Sequence, residues 1–296
     1  MKAIGWTILA ALLAAAPAAL ADPATAPVAG GAQYDTTHVY VAPADVDRLV
    51  DSFTATFGGS AAPAATVDVT PTPSQELWRA VQTPVGPLSV FGFTSPIPYP
   101  FGAERTGYLV SDMDAAVAAA RAAGADVLVA PFPDPIGRDA VIQLPGGVTM
   151  QLYWHVKAPN APPLASIPEN RIYVSPDRAD AFVRAFLAFS QGKVTSDDAA
   201  APGAEIGEPG QHYRRIEIDS GFGKLRVMVI DGHQPWPYGR ETTGYEVTDL
   251  DATLAKATAA GAKVVVAPVG SGGRMSALVQ FPGGYIAEIH MPARRG

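Results

Sequence analysis

The chain has no cysteine. It can form no disulfide, hold no thiolate metal site and use no thiol nucleophile. Histidine is scarce too, with five residues in 296, so imidazole-rich metal sites and histidine-based relays have little material. Basic runs are short: none exceeds Arg214-Arg215 or Arg294-Arg295, and the net charge is −7. Nucleic-acid binding needs clustered Lys and Arg to neutralise phosphates, which argues against that class. Phosphate-cradling G-x-x-x-x-G-K-[ST] loops, strand-to-helix G-x-G-x-x-G turns and Gly-x-Ser-x-Gly elbows are all missing.

Long apolar stretches are missing except at the start. Lys2 is a positive n-region, Ile4–Ala16 an apolar h-region, and Ala19-Leu20-Ala21 before Asp22 a small-x-small cleavage site. Residues 1–21 therefore read as a signal peptide, and the mature chain as periplasmic or secreted with no membrane span. The other reading is a membrane anchor, although Pro17 interrupts the end of an apolar run already short for a span of about 20 residues. No cysteine follows the cleavage site, which excludes a lipid anchor there.

What is present is a repeat. Gly107–Pro131 and Gly244–Pro268 align at an offset of 137 (244 − 107), with identities at 16 of 25 positions, including Gly-Tyr, Asp-x-Asp, Ala-Gly-Ala and Val-Ala-Pro. That period is too long for a solenoid and suits a small domain used twice. Residues 22–33 are Ala/Pro/Gly-rich and read as a disordered leader. Residues 34–157 form domain 1, 158–169 a Pro-rich linker, and 170–292 domain 2.

Each domain divides again into two half-units. The first opens on a β-branched and aromatic strand, His38–Val41 or Arg171–Val174. A helix follows. Val46, Leu49, Val50, Phe53 and Phe57 share one face at helical spacing, and Ala179, Phe182, Val183 and Phe186 repeat the stripe. Strand-like runs come next, at 76–83 and 87–93, and at 213–219 and 223–230. In the second half-unit Asp112 and Asp249 stand where N-caps belong, and Gly124 and Gly261 where helices stop. Strands then centre on Val127, Val141 and Met150, and on Val264, Leu278 and Ile286. The fold class is α+β, with strand–helix–strand–strand–strand occurring four times.

This plan, with its V-x-D-x-D-A, A-A-G-A, F-P-G-G and x-E-I elements, resembles the vicinal oxygen chelate superfamily, the glyoxalase, bleomycin-resistance and extradiol-dioxygenase group. The resemblance covers roughly Tyr34–His155 and Asn170–Pro292. It implies tandem domains, each of two βαβββ units curled into a half-open mixed-sheet cup. In enzymes of the group, metal ligands sit on the first strand of each unit and on the last strand of the domain. Carried over, these positions fall on His38, Thr106 and Gln151 in domain 1, and on Arg171, Thr243 and Glu288 in domain 2. Neither set offers three good donors for a divalent metal.

Residues two apart on a strand share a face. If those positions face the cups, Tyr40, Tyr108 and Tyr153 do so in domain 1, and Tyr173, Tyr245 and His290 in domain 2. His38 with Gln151 then forms a ligand-binding pair, a remnant metal site or a satisfied polar pair. Arg171 with Glu288 forms a polar-ligand site or a structural ion pair. A site assembled across the domains from His38, Glu288 and His290 would suit a divalent metal. The loops 94–102 and 232–239 carry Pro-aromatic repeats that suit a lid or a rigid crossover, with 96–101 expected at the mouth of the domain 1 cup. Gly137-Arg138 and Gly273-Arg274 read as turn residues. The preferred reading is a small polar or aromatic ligand bound in a cup lined by His38, Tyr40, Tyr108, Gln151 and Tyr153, with Arg171 and Glu288 the weaker site and no metal. A metal-dependent glyoxalase- or dioxygenase-like enzyme, and a partner-binding protein with filled cups, remain alternatives. Oligomerisation is left open.

Overall fold

A computed structural model describes residues 27–271 and 273–292. The signal-peptide reading falls on residues 1–21, outside them. The first half of the chain runs β1 (Thr36–Tyr40), α1 (Val46–Phe57), β2 (Ser60–Ala61), β3 (Ala65–Val67), β4 (Glu76–Thr83), β5 (Gly86–Phe93), β6 (Arg105–Leu109), α2 (Met113–Ala122), β7 (Asp126–Asp134), β8 (Gly137–Gln143) and β9 (Thr149–His155). The second runs β10 (Glu169–Val174), α3 (Ala179–Ser190), β11 (Lys193–Pro202), β12 (His212–Ser220), β13 (Gly223–Val229), β14 (Thr242–Glu246), α4 (Leu250–Ala259), β15 (Lys263–Ser271), β16 (Arg274–Gln280) and β17 (Ile286–Pro292).

Each half makes one mixed sheet, in the order β2-β4-β5-β1-β6-β9-β8-β7 (β3 also pairs β4) and β11-β12-β13-β10-β14-β17-β16-β15. The two half-units of each sheet meet at one antiparallel seam, β1 on β6 and β10 on β14. The helix stripes are buried: Val46, Leu49, Val50 and Phe53 in α1, and Ala179, Phe182 and Phe186 in α3. Asp112 and Asp249 accept from the backbone N–H of Ala115 and Ala252 at 2.8 and 2.9 Å, as N-caps do. Gly124 and Gly261 both take φ +88°, which stops the helices where the sequence places their ends.

The helices lie between the sheets, α1 against α4 and α2 against α3. One core joins α2, β8 and β9 to α3, β12 and β13; another joins α1, β4 and β5 to α4, β14, β16 and β17. Between them the central strands meet back to back. The hydroxyls of Thr37 and Thr243 are 2.9 Å apart. Asn170 donates to the Tyr108 hydroxyl at 2.7 Å and to Glu241 at 3.1 Å.

Two boundaries differ from the sequence reading. Residues 27–34 are packed rather than disordered: Val28 is buried, Ala29 bridges Val110, and Ala32–Tyr34 forms a 3-10 turn. Their backbone groups find partners, Gly30 N–H on Leu109 among them. Glu169, assigned to the linker, opens strand β10. The fourfold plan calls for a third strand after α3 without placing it; β11 supplies it at Lys193–Pro202, a segment with no alternation to mark it.

Since both cores draw on both sheets, the two halves should melt together. Calorimetry should show one transition, and Phe182→Ala should lower it as a whole by about 3–5 kcal/mol. Two separable transitions, with only one affected, would contradict shared cores.

Candidate functional site

The seam register decides what faces each cup. Thr36 pairs with Gly107 and His38 with Arg105, while Thr37 pairs with Thr106. Partners across an antiparallel pair share a face. His38, Arg105 and Gly107 therefore face the cup, and Thr37, Thr106 and Tyr108 face the other domain. In the second sheet Glu169 pairs with Gly244, and Gly244 with Glu288. Glu169, Arg171, Gly244 and Glu288 share the cup face, while Thr243 and Tyr245 turn inward.

This corrects the reading of the second-unit strands by one residue, and such a slip flips every side chain. Thr106 and Thr243 turn away from the cups; the cup face carries Arg105 and Gly107 on either side of the first, and Thr242 and Gly244 on either side of the second. A Cβ on Gly107 would lie 2.7 Å from His38 Nε2, and one on Gly244 2.7 Å from Glu288 Oε2. Tyr108 leaves the cup and packs edge-to-face on Phe222 of the other sheet. Tyr245 lies among Phe53, Phe57 and Tyr285.

In domain 1 the remaining expected residues converge. A cavity of about 310 Å³ is lined by His38, Gln151, Tyr153 and Asp139, with Trp78, Pro87 and Phe91 as apolar wall. Tyr40 shares the face, stacked between Phe91 and Phe93, but does not line the hollow. His38 Nδ1 is 3.2 Å from Gln151 Oε1, and Gln151 Nε2 donates to Asp139 Oδ2 at 2.8 Å. The Tyr153 hydroxyl bonds the Tyr34 carbonyl. Burial, with Arg105 adding to it against the Gln151 hydrogen bond, lowers the His38 pKa to about 4, so its ring is neutral at pH 7. Burial, reinforced by Asp134, pushes the Asp139 carboxyl up to about 8. Burial likewise raises Tyr40 to about 12.

The Pro-aromatic loop does not border this cavity. Phe101 is buried against Phe132 and Val141, and Pro100 accepts from Arg105. The rim is the β7–β8 turn instead, with Asp134, Pro135 and Ile136.

In domain 2 the cup is crowded with paired charge. Arg171 Nη1 is 3.3 Å from both Glu169 and Glu288. Arg274 reaches Glu169 at 2.8 Å, and Arg226 reaches Glu205 at 3.0 Å and Glu217 at 2.7 Å. Arg215 also bonds Glu205, and His290 Nδ1 lies 2.6 Å from Glu288 Oε2. Burial alone would raise the Glu288 carboxyl, but Arg171, His290 and Arg274 outweigh it and hold it well below the usual range. Glu169, flanked by Arg226, Arg274 and Arg171, sits at about 2 despite burial. A 3-10 turn, Gly203–Ile206, fills one end with Glu205 and Ile206. The hollow left at the other end, about 320 Å³, is walled by Glu217, Arg226, Glu246, Arg274 and His290.

The sequence points to Arg171, Glu288 and His290 on this face but not to Glu169, Glu205, Glu217, Arg215, Arg226 or Arg274. Glu169 lies two residues before Arg171, so strand alternation would have found it had the strand not been started too late. Arg274 was taken for a turn residue by analogy with Arg138. The two are one register apart: Arg138 pairs outward with Asp114 at 2.9 Å, and Gly137, not Arg138, stands opposite Arg274 in the repeat.

The cross-domain metal set is not assembled. Thr37 and Thr243 meet back to back, so His38 and Glu288, on the opposite faces of their sheets, look away from each other. Among the described residues no cluster of three His, Cys, Asp or Glu has a metal-holding arrangement, and no helix is long and apolar enough to cross a membrane.

This geometry has solved counterparts. A mutant 4-hydroxymandelate synthase from Streptomyces coelicolor superposes with a TM-score of 0.62 at 13% identity, covering 92% of this chain and 95% of that one. The Mn(II)-bound glyoxalase from Novosphingobium aromaticivorans gives 0.55 at 16%, covering 90% and 83%. The 2,3-dioxygenase LapB from Pseudomonas sp. KL28 gives 0.53 at 11%, covering 91% and 94%. The chain has the vicinal oxygen chelate fold. No family model and no curated protein matches the sequence, so these likenesses establish fold alone.

The two cups make two stability predictions. Arg171→Ala leaves Glu169 and Glu288 short of a counter-charge and should cost about 3–5 kcal/mol in urea unfolding; a change below ~1 kcal/mol would contradict a buried, mutually dependent network. Asp139 binds its proton more tightly folded than unfolded, so its contribution is fullest below the unfolded pKa near 4 and is lost as pH rises towards 8. Asp139→Asn should thus stabilise the protein by roughly 2–5 kcal/mol at pH 9 and little at pH 4. Equal effects at both pH values would show that the carboxyl is not perturbed.

Proposed function

We propose that this chain is an exported binding protein that takes a small polar or aromatic molecule in the domain 1 cup without a metal. The observation that carries the reading is the contrast between the cups. Domain 1 combines an apolar wall of Trp78, Pro87 and Phe91 with a few directed polar groups, His38, Gln151 and Asp139, the usual make-up of a small-molecule site. In domain 2 the polar groups that wall the hollow already bond one another, so a ligand's polar groups would compete with buried ion pairs.

One of the fold's solved counterparts is Mn(II)-bound, so a divalent ion was tested against the donors present. In domain 1 the first strands and the last strand carry one imidazole, the Arg105 guanidinium beside a glycine, and an amide whose oxygen faces that imidazole. In domain 2 they carry a guanidinium, Thr242 beside a glycine, and a carboxylate engaged by that guanidinium. Neither set fits a divalent ion, which needs three or four N or O donors. The export reading is supported by residues 1–21 alone. If it holds, mass spectrometry of protein recovered from a bacterial periplasm will find an N-terminus at Asp22.

The binding reading is tested by thermal shift against small aromatic compounds. A ligand stabilises by RT ln(1 + [L]/Kd), so true binders shift Tm with concentration. Ser89→Phe, which puts a ring into the cavity opposite His38, should keep the fold and abolish the shifts. Mn(II) or Zn(II) added to chelated protein should give no shift that depends on His38. Shifts that survive Ser89→Phe, or a metal shift lost in His38→Ala, would contradict the reading.

A further inference from the structure

Every deeply buried carboxylate of the domain 2 cup faces an arginine: Glu169, Glu205 and Glu288 all do. The domain 1 cup breaks that pattern. Asp139 is 5% exposed. Its Oδ2 accepts from Gln151, and its Oδ1 is buried with no partner. Asp134 joins it on the cavity lining, and among the described residues there no Lys or Arg appears. Arg105 shares this face but is off the cavity lining; it bonds the carbonyls of Pro100 and Ala103, and its Nη1 is buried without a partner. The remaining walls include the rings of Trp78, Phe91 and Tyr153.

We propose that the domain 1 cavity selects an organic cation, a protonated amine on a small aromatic or apolar body, with Asp139 as its counter-charge. The proposal rests on the binding reading above and names its ligand class. An ammonium group in the hollow would satisfy Asp139 Oδ1 with a charge-assisted hydrogen bond. The aromatic walls favour the same charge through their ring faces. An anion would meet the carboxyl groups of Asp134 and Asp139; an ammonium instead draws Asp139, largely protonated at pH 7 without it, to its carboxylate form. A neutral ligand with a carbonyl would need Asp139 to donate a proton, which is the competing possibility the test must separate.

Calorimetric titration with benzylamine, benzyl alcohol and benzoate offers one ring with three charges. Benzylamine should bind at least about tenfold more tightly than benzyl alcohol, a difference near 1.4 kcal/mol, and benzoate should be weakest. Asp139→Asn keeps the shape and should bring benzylamine and benzyl alcohol to similar affinity. Glu217→Gln, in the other cup, should leave the preference intact and so exclude a general effect of the acidic surface. Benzyl alcohol or benzoate binding as tightly as benzylamine would overturn the charge selection, as would a preference that persists in Asp139→Asn. If the neutral probe binds and is lost in Ser89→Phe, the cavity is a binding site without charge selection. If none of the three binds in the cavity, both this inference and the binding reading fail.

Discussion

Strand alternation at the two seams governs the rest of the molecule. In β1, β6, β10 and β14, one set of side chains faces a cup and the other faces the partner sheet. The inward set has to be compact enough for the sheets to meet, and Thr37, Thr106 and Thr243 meet that need. The outward set is then free to diverge. Because the period is two, neither set can change register without exchanging roles with the other.

The outward sets have diverged in charge. His38 and Ser89 of domain 1 stand where domain 2 has Arg171 and Arg226, since each pair is in register across its parallel strands. Ala80 stands where domain 2 has Glu217, as the pairings of Ser89 and Arg226 show. Small residues and apolar rings bound one hollow; paired arginines and glutamates wall the other. A buried ion pair adds little net stability against a well-packed apolar alternative, yet losing one partner is costly. The domain 2 cup is therefore held by mutual dependence, and the domain 1 cup is the one without that network.

Much of the fold was legible because it rests on local signals with clear physical causes. The α1 stripe, the Asp112 and Asp249 caps and the paired Gly124 and Gly261 stops each have one reading, and the repeat confirmed each twice. The site was less legible, for two reasons. Placing the second-unit strand by distance from Asp-x-Asp missed by one residue, which sent Tyr108 and Tyr245 to the wrong face. Asp139 gave no sequence signal, since its importance comes from Gln151 and the cavity, both distant in the chain. Strand β11 lacked any pattern because its side chains are largely exposed and its pairing with β12 is interrupted by bulges.

The central claim is that ligand enters the domain 1 cup and not the domain 2 cup. Trp78 lines the first cavity, Trp154 packs against the shared core, and Trp236 stands 59% exposed on the domain 2 crossover loop. Their indole N–H resonances report on the three regions separately. Titration with benzylamine, followed by nitrogen–proton correlation spectroscopy, should move the Trp78 signal progressively and leave Trp154 and Trp236 in place. Movement of Trp236 with Trp78 unchanged would contradict the account.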